Sequence, residues 1–376
     1  MKFKTLDYYK FKDKRVLLRS DLNSEVYNGS ISMNDRISES SRTIKELILK
    51  GASVVVLAHQ GRPGKEDFTS LEEHSKLLKK FVKIKFVKDI IGEDAVNEIE
   101  NLKFGEAILL ENVRFLEEEF KPSVHNKMVE VLSDHFDFYV NDAFSVCHRE
   151  QTSIVSFPKK LKSCIGRTME RELKNLDKIK IKDCLFILGG AKEDNIILLK
   201  NDNVLTCGIF GQLCMISRGF NFGAQNEFLK KDIEVVEELK KINFTAETPI
   251  DFAVKVGNER FELDLEDFPS EYDAYDIGEK TIKEYIKRIK NVKAIFMKGP
   301  AGFAEDARFA KGTAALLKAI ANSKAKKVLG GGQLSSALKR LKISEKKFDY
   351  ISLSGGATVH YLAGRKLPGL EALKKV

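Results

Sequence analysis

Four arginines in the first half of the chain stand at or soon after the ends of short apolar runs. Each guanidinium is permanently charged, and its planar fork of donors binds phosphate and carboxylate oxygens in pairs. In open α/β sheets, ligands bind beyond the carboxyl ends of the strands. We therefore expect a pocket for a small, multiply charged anion. The residues at these positions are Asp21, Asn23, Asp35, Arg36, His59, Gly61, Arg62, Asn112, Arg114, Asn141, Asp142, His148 and Arg149.

A simpler interpretation is that such arginines pair with helix carboxylates at the surface. It suffices for any one of them, but four at corresponding positions favour the anion pocket. His59 and His148 are weak indicators on their own, because a histidine at such a place is often structural.

Glycines take the corresponding positions in the second half of the chain. They let the backbone approach a ligand closely, and amides at a helix N-terminus bind phosphate. Lys192 follows one of these turns. None of them forms a Walker A or GxGxxG motif, and any single turn is explained by packing, but together they favour a nucleotide phosphate site. Phe210, Phe220 and Phe303 are either base-pocket or core residues. The glycines are Gly189, Gly190, Gly299, Gly302, Gly330, Gly331, Gly332, Gly355 and Gly356.

The elements that must position these residues alternate in type. Apolar runs occur at 15–19, 53–59, 106–115 and 136–144, then at 184–190, 203–211, 293–302, 326–332 and 348–356, and longer amphipathic stretches separate many of them. This alternation predicts parallel sheets with helices on both faces. A helical pattern within 156–183 predicts a connecting helix, and alternation around a Gly-Asn turn predicts a hairpin over 249–274.

Composition narrows the class of protein. The chain has 376 residues, 43% of them hydrophobic, and carries 64 Lys and Arg against 55 Asp and Glu. That length predicts two domains. No apolar run is long enough to cross a membrane, and we expect neither a secretory leader nor a membrane partner. The sequence has no basic run of five and no nucleic-acid-binding motif, so we do not expect nucleic acid as a partner. Five widely spaced cysteines, without CxxC, predict free thiols in a cytoplasmic protein.

The chain closely resembles phosphoglycerate kinases over essentially its whole length. The resemblance is carried, in the family's order, by RSDLNSEV, NDRI, AHQGRPGK, LLENVRFLEEE, VNDAFSVCHREQTS, GRTMERELKNL, LGGAK, DIGEKTI, KGPAGFAEDARFAKGT, VLGGGQLSSAL, SLSGGAT and GRKLPGLEAL. The CHREQTS and GRTMERE variants resemble the archaeal branch.

The resemblance implies two Rossmann-like domains, each with a parallel sheet flanked by helices, joined by a hinge helix. Residues 1–160 would bind 3-phosphoglycerate, 161–182 would connect, 183–359 would bind the nucleotide, and about 360–376 would pack back on the first domain. The implied enzyme is a phosphotransferase with a carboxyl group acceptor. It would transfer a phosphoryl group reversibly between 1,3-bisphosphoglycerate and ADP, giving 3-phosphoglycerate and ATP, in glycolysis or gluconeogenesis. We expect a monomer or homodimer and Mg²⁺ held mainly by the nucleotide phosphates, with no protein ligand assigned.

The resemblance also implies roles for residues. Those implied to hold the phosphoglycerate are Asp21, Asn23, Arg36, His59, Arg62, Arg114 and Arg149. Those implied to stabilise the transferring group are Arg36, Lys192, Gly355 and Gly356. Those implied to hold the nucleotide are Gly189, Gly190, Lys192, Gly299, Glu305, Gly330, Gly331, Gly332 and Gln333.

Departures from the family pattern cluster in the nucleotide half. Ile196 or a neighbour stands where a second lysine is common, Lys298 replaces Asn, Ser354 replaces Gly, and Gln333 replaces an Asp that helps hold the metal. An amide is a poorer ligand than a carboxylate for a hard cation. These changes keep an alternative open, namely a catalytically weakened member that binds nucleotide or phosphoglycerate.

Overall fold

The computed structural model describes residues 3–27 and 29–374, and its contacts divide the chain into two compact units. The first unit lies within residues 1–174 and 365–376, and the second within 175–364. Among the described residues, no helix is long and apolar enough to cross a bilayer.

The first unit contains eight described strands and its helices in alternation. The strands are β1 (Arg15–Arg19), β2 (Val26–Tyr27), β3 (Ser30–Ile31), β4 (Ser53–Leu57), β5 (Ile84–Phe86), β6 (Ala107–Leu109), β7 (Phe138–Asn141) and β8 (Lys162–Ile165). The helices are α1 (Asp35–Leu49), α2 (Glu72–Leu78), α3 (Glu93–Asn101), α4 (Lys127–Ser133) and α5 (Thr152–Val155), followed by α6 (Arg167–Leu176), whose last two residues lie past the end of this unit at residue 174.

Six of these strands form one parallel sheet in the order β5-β6-β4-β1-β7-β8. All five residues of β4 are buried, which is why it reads as a continuous apolar run rather than an alternating one. The parallel order places the carboxyl ends of β1, β4, β6 and β7 at one edge. That edge carries the predicted anion-binding residues.

Two strands of this sheet were not predicted. β5 has only three residues, and β8 lies inside the segment 161–182 that was predicted as a connecting helix. The helix there is shorter, running from Arg167 to Leu176. Lys162–Ile165 instead pairs with β7 at the sheet edge, where one neighbouring strand supplies a pairing that local pattern does not reveal.

The second unit contains a parallel sheet and a smaller antiparallel one. Its strands are β9 (Cys184–Leu188), β10 (Val204–Thr206), β11 (Asp251–Val256), β12 (Glu259–Asp264), β13 (Ala274–Ile277), β14 (Ala294–Lys298), β15 (Lys326–Gly330) and β16 (Tyr350–Ser352). Its helices are α7 (Gly208–Ser217), α8 (Ala224–Leu229), α9 (Ile233–Lys240), α10 (Glu279–Lys290), α11 (Lys311–Asn322), α12 (Gly332–Arg340) and α13 (Gly355–Leu362). A 3₁₀ helix spans Glu193–Lys200.

The parallel sheet has the order β10-β9-β14-β15-β16, so each of the five apolar runs predicted in this half contains a strand. The hairpin is confirmed as β11 and β12, which pair antiparallel across the Gly257-Asn258 turn, with β13 on the other side of β11. The predicted α/β fold class is confirmed.

The last described helix, α14 (Pro368–Lys374), belongs to the first unit. The Gly369 amide donates to the Cys147 carbonyl at 2.9 Å. A Cβ at Gly369 would lie 2.7 Å from Ile154 Cγ2, so glycine allows α14 to pack closely on α5.

Candidate functional site

The anion-binding edge of the first unit begins with Asp21 and Arg36. Asn34 caps α1 by accepting hydrogen bonds from the amides of Arg36 and Ile37, which places Arg36 in the first helical turn. Arg36 Nη1 donates to Asp21 Oδ2, and Ser145 Oγ donates to the same oxygen at 2.6 Å. The Asp21 carboxylate thus links the end of β1, the start of α1 and the loop after β7.

A glycine turn shapes the next part of the edge. Asn23 Oδ1 accepts a hydrogen bond from the Gly61 amide at 2.8 Å. Gly61 has φ +66°, and a Cβ there would lie 2.2 Å from the Asp67 carbonyl oxygen. Only glycine fits both restrictions, so the turn that carries the neighbouring Arg62 depends on it.

His59 is held by a buried arginine. Arg19 Nη2 donates to His59 Nδ1 at 3.1 Å, and both side chains are almost completely buried. Because a guanidinium only donates, Nδ1 accepts and the ring proton lies on Nε2. Burial, followed by the charge of Arg19, holds the pKa of His59 well below its ordinary value, so the imidazole is neutral.

Arg19 is also fixed on its other side. Its Nε donates to Ser153 Oγ at 2.8 Å, and that hydroxyl donates to Glu119 Oε1 at 2.8 Å. Burial raises the pKa of Glu119 above its ordinary value. Arg19 was not among the predicted site residues. Its sequence signal is a charged residue that ends an apolar strand two positions before Asp21.

Arg114 is buried at the centre of the cationic group. Its Nη1 donates to the Gly61 carbonyl and its Nη2 to Gln151 Oε1 at 3.5 Å. Burial, then the charges of Arg149 and Arg19, lower the pKa of Arg114 to about 9. Burial of Arg114 close to Arg149 and Arg19, whose charges oppose its own, indicates a site shaped for an anion.

The structure brings the predicted anion-binding residues of the first unit together. Arg36, Arg114 and Arg149 all lower the pKa of His59 electrostatically, and Arg62 acts on Arg114 in the same way. Other strand-end residues hold loops instead. Asp142 accepts from Thr43 Oγ1 at 2.6 Å and from the Met169 amide at 2.9 Å, while Asn112 and Asn141 bond to nearby backbone groups.

In the second unit, the turns after β9 and β14 meet. The Gly189 amide donates to the Lys298 carbonyl at 2.7 Å, and the Gly190 amide donates to the Pro300 carbonyl at 2.9 Å. A Cβ at Gly299 would lie 2.3 Å from the Gly189 carbonyl oxygen. These glycines therefore have a packing role. Gly330 packs on Phe296, and Gly331 is the N-cap of α12.

Two lysines converge on the start of α13. A Cβ built on Gly355 would lie 3.8 Å from Lys298 Cε and 3.9 Å from Lys192 Nζ. Lys298 Nζ is buried and makes no hydrogen bond to any residue that the structure describes. Asp194 Oδ2 lies 3.6 Å from it. Burial lowers the pKa of Lys298 to about 8, with Asp194 opposing and Lys192 adding to the shift.

Lys298 was identified in the sequence only as a departure from the family pattern. It is the last residue of β14, whose five residues are all buried. Its one ion-pair partner among the described residues, Asp194, lies beyond hydrogen-bond distance at 3.6 Å, so the ammonium group keeps donors for a ligand. With the first-turn amides of α13, the two lysines form a centre suited to phosphate.

A cavity of about 480 Å³ lies beside these turns, in the size range of small-molecule sites. Of the predicted nucleotide-binding residues, Gly190, Glu305 and Gln333 line it. Phe303 also lines it, whereas Phe210 is core and Phe220 packs in the aromatic cluster with Phe222 and Phe268. The other lining residues are Ala191, Gly208, Ile209, Gln212, Gln225, Phe228, Asp273, Ala274, Tyr275, Pro300 and Gly302.

Across the described ranges, no three His, Cys, Asp or Glu side chains are grouped so as to hold a metal ion. Near the lysines, the chain offers Asp194, whose carboxylate already faces Lys298 at 3.6 Å, and the Gln333 carboxamide. This donor set fits Mg²⁺ that is carried by nucleotide phosphates, with one or two oxygens from the protein.

Comparison with known proteins supports the same conclusion as the residues. The family model for phosphoglycerate kinase matches residues 6–365. Phosphoglycerate kinase from Methanothermus fervidus is 40% identical, covering 100% of this chain and 97% of that protein. The enzyme from Methanococcus maripaludis is 41% identical, covering 99% and 98%.

Solved structures agree. Phosphoglycerate kinase from Pyrococcus horikoshii OT3 superposes with a TM-score of 0.88 at 36% identity, covering 98% of each chain. The enzyme from Coxiella burnetii gives 0.77 at 28% identity, covering 99% of each. The predicted resemblance is confirmed: the chain belongs to the phosphoglycerate kinase family.

Proposed function

We propose that this chain transfers the acyl phosphate of 1,3-bisphosphoglycerate to ADP, giving 3-phosphoglycerate and ATP, and also catalyses the reverse reaction. The observation that carries the proposal is the convergence of Lys192 and Lys298 on the first residue of α13, beside a glycine-lined cavity. Phosphoryl transfer depends on positioning and on charge neutralisation, and this group of residues supplies both.

We assign the anion-binding edge of the first unit to the phosphoglycerate. Arg36, Arg62, Arg114 and Arg149 would neutralise its phosphate and carboxylate oxygens. His59 would donate from Nε2, since Arg19 occupies Nδ1. Asp21 and Asn23 would position the arginine and the glycine turn that they contact, and would accept hydrogen bonds from the substrate hydroxyl.

The nucleotide is assigned to the second unit. Gly189, Gly190, Gly299 and the 330–332 turn would let its backbone approach the phosphates, and Glu305 would accept hydrogen bonds from the ribose hydroxyls. Mg²⁺ bound to those phosphates would lower their negative charge, and Gln333 or Asp194 would contribute an oxygen.

The transfer itself needs no general base, because the attacking phosphate oxygen is already ionised. We assign Arg36, Lys192 and the amides of Gly355 and Gly356 to stabilisation of the charge that spreads over the phosphoryl oxygens. Lys298 would add a second cation in the second unit. Direct transfer requires donor and acceptor to meet without intervening water, so we also propose a hinge-bending step about the connecting helix.

The proposed setting follows from the reaction. We place it in glycolysis or gluconeogenesis, in the cytoplasm, in a monomer or homodimer that binds no nucleic acid.

A coupled assay tests the proposal. The purified full chain is supplied with 3-phosphoglycerate and MgATP, and 1,3-bisphosphoglycerate is consumed by an NAD(P)H-dependent dehydrogenase. We expect oxidation of the reduced cofactor to require both substrates and to stop when EDTA removes the divalent ion. Binding of ADP and 3-phosphoglycerate without turnover would refute the proposal and support the weakened, ligand-binding alternative.

A further inference from the structure

Two glutamine side chains lie in series at the wall of the second unit's cavity. Gln212 is in α7 and Gln225 is in α8, both are nearly completely buried, and both line the cavity. Gln225 Nε2 donates to Gln212 Oε1 at 2.7 Å, and Gln212 Nε2 donates to the Ala274 carbonyl at 3.0 Å.

A backbone carbonyl sets the direction of both amides. The Ala274 oxygen can only accept, so the Gln212 group that faces it must be the NH₂. Its oxygen then faces Gln225, which must present its own NH₂. The remaining Gln225 atom, Oε1, accepts no hydrogen bond from any residue in the described part of the chain. The cavity therefore has an obligate acceptor on a buried side chain.

The rest of the lining indicates what part of a ligand meets this acceptor. Gly190 and Gln333 lie on the side of the glycine turns, and Lys192 and Lys298 mark the phosphate end. Glu305 is assigned to the ribose. Gln212, Gln225 and Phe228 are among the lining residues that then remain for the base.

We propose that Gln225 Oε1 selects a nucleotide whose purine carries an amino group at position 6 over one that carries an oxo group there. The inference rests on the proposed function, because it takes the cavity to be the nucleotide site. Adenine would donate one N6 hydrogen to Gln225. Hypoxanthine would oppose two acceptors, leaving both without a partner in a buried place.

Calorimetric titration of the purified chain with MgADP and MgIDP tests this. We expect ADP to bind about 10- to 100-fold tighter, the range that follows from one hydrogen bond lost and the two facing acceptors left unpaired. Purine riboside diphosphate, which has neither group, should fall between them. Equal affinity for ADP and IDP, within twofold, would overturn the inference without any variant.

Variants assign the preference to the residue. Gln225→Leu should reduce the ADP-to-IDP ratio to about threefold or less, mainly by weakening ADP, because the Gln225 oxygen that is proposed to accept from N6 is then removed. Phe228→Leu is the matched control, since it changes the same wall without changing a hydrogen bond and should keep the ratio. A ratio that survives Gln225→Leu would also overturn the inference.

Turnover separates this inference from the function on which it rests. If 3-phosphoglycerate is phosphorylated equally well with ATP and ITP, and their diphosphates bind alike, the proposed function stands and the role of Gln225 is refuted. If neither turnover nor ADP binding is found, both are refuted.

Discussion

Arg19 donates a hydrogen bond to His59 Nδ1 at 3.1 Å inside the first unit. Arg19 is the last residue of β1, and it pairs with Leu57, the last residue of the neighbouring parallel strand β4. His59 lies two positions after Leu57. The contact holds one tautomer of a neutral histidine, with its Nε2 proton available to a ligand. The buried Arg19 therefore affects both the pKa of His59 and the affinity for the phosphoglycerate.

Replacing Arg19 with Met should raise the pKa of His59, because one of the charges that lower it is removed. The KM for 3-phosphoglycerate should rise about 10-fold, the value of one hydrogen bond at a charged substrate. NMR titration of the ring protons, assigned with His59→Gln, measures the first effect. Arg19→Lys keeps the charge and should shift the titration less. An unchanged His59 titration in Arg19→Met would contradict this prediction.

Removal of Arg36 or Lys192 should lower kcat strongly. We expect each Ala variant to lose at least about 100-fold, which is typical for one preorganised charge stabiliser. Steady-state assays at saturating substrates measure it. Lys287→Ala is the control, because that side chain is 68% exposed and pairs only with nearby Glu284 among the described residues. Near-wild-type turnover in either site variant would remove that residue from the catalytic group.

Lys298 should make nucleotide use depend on pH. Its pKa is lowered to about 8, so the free enzyme carries the charge below that pH and loses it above. The groups facing it are Asp194, Lys192 and the start of α13. We expect kcat/KM for the nucleotide to fall as pH rises through about 8. Lys298→Arg should remove this inflection, because a guanidinium stays charged. An inflection that persists in Lys298→Arg belongs to another group.

Gln333→Asp tests the proposed position of the metal ion. The cavity-lining amide becomes a carboxylate, which is a better ligand for Mg²⁺. Activity should be retained, and half-maximal rate should require less Mg²⁺ than in the parent chain. Rates measured across a Mg²⁺ titration at fixed nucleotide check this, with Gln333→Leu expected to shift in the opposite direction. Identical Mg²⁺ curves for all three proteins would place residue 333 away from the ion.

Two glycines of one loop should respond differently to Ala. Gly61 and Gly64 both have positive φ. A Cβ built on Gly61 would lie 2.2 Å from the Asp67 carbonyl oxygen, whereas a Cβ built on Gly64 would have no neighbouring atom within 4 Å. Gly64→Ala should lower the free energy of unfolding by about 1 kcal/mol, the strain of a left-handed residue. Gly61→Ala should cost several times more, because backbone must also move. Urea denaturation of both variants measures the difference, and equal losses would refute the steric argument.

The sequence by itself determined the fold class, most of the strands and the family. Runs such as 54–57 are apolar throughout because helices cover both faces of a parallel strand, so adjacent residues are all buried. The same holds for the hairpin over 251–264, where alternation and a Gly-Asn turn are local signals. The sequence also predicted that four arginines lie along one edge of the sheet, because parallel strands bring their carboxyl ends to the same edge.

Only the tertiary structure showed which strands pair and which side chains contact one another. β8 became visible only through its pairing with β7, since a four-residue edge strand has too little pattern of its own. Arg19 and His59 are 40 positions apart in the sequence. Lys192, Lys298 and Gly355 lie near one another although each stands at or after the end of a different strand. The direction of the Gln225 amide depends on a carbonyl of β13. The sequence specifies which polar and charged side chains are present. The order of the strands decides which of these side chains are buried next to one another. Their charges and hydrogen bonds in that buried setting then determine their protonation and their capacity to bind a ligand.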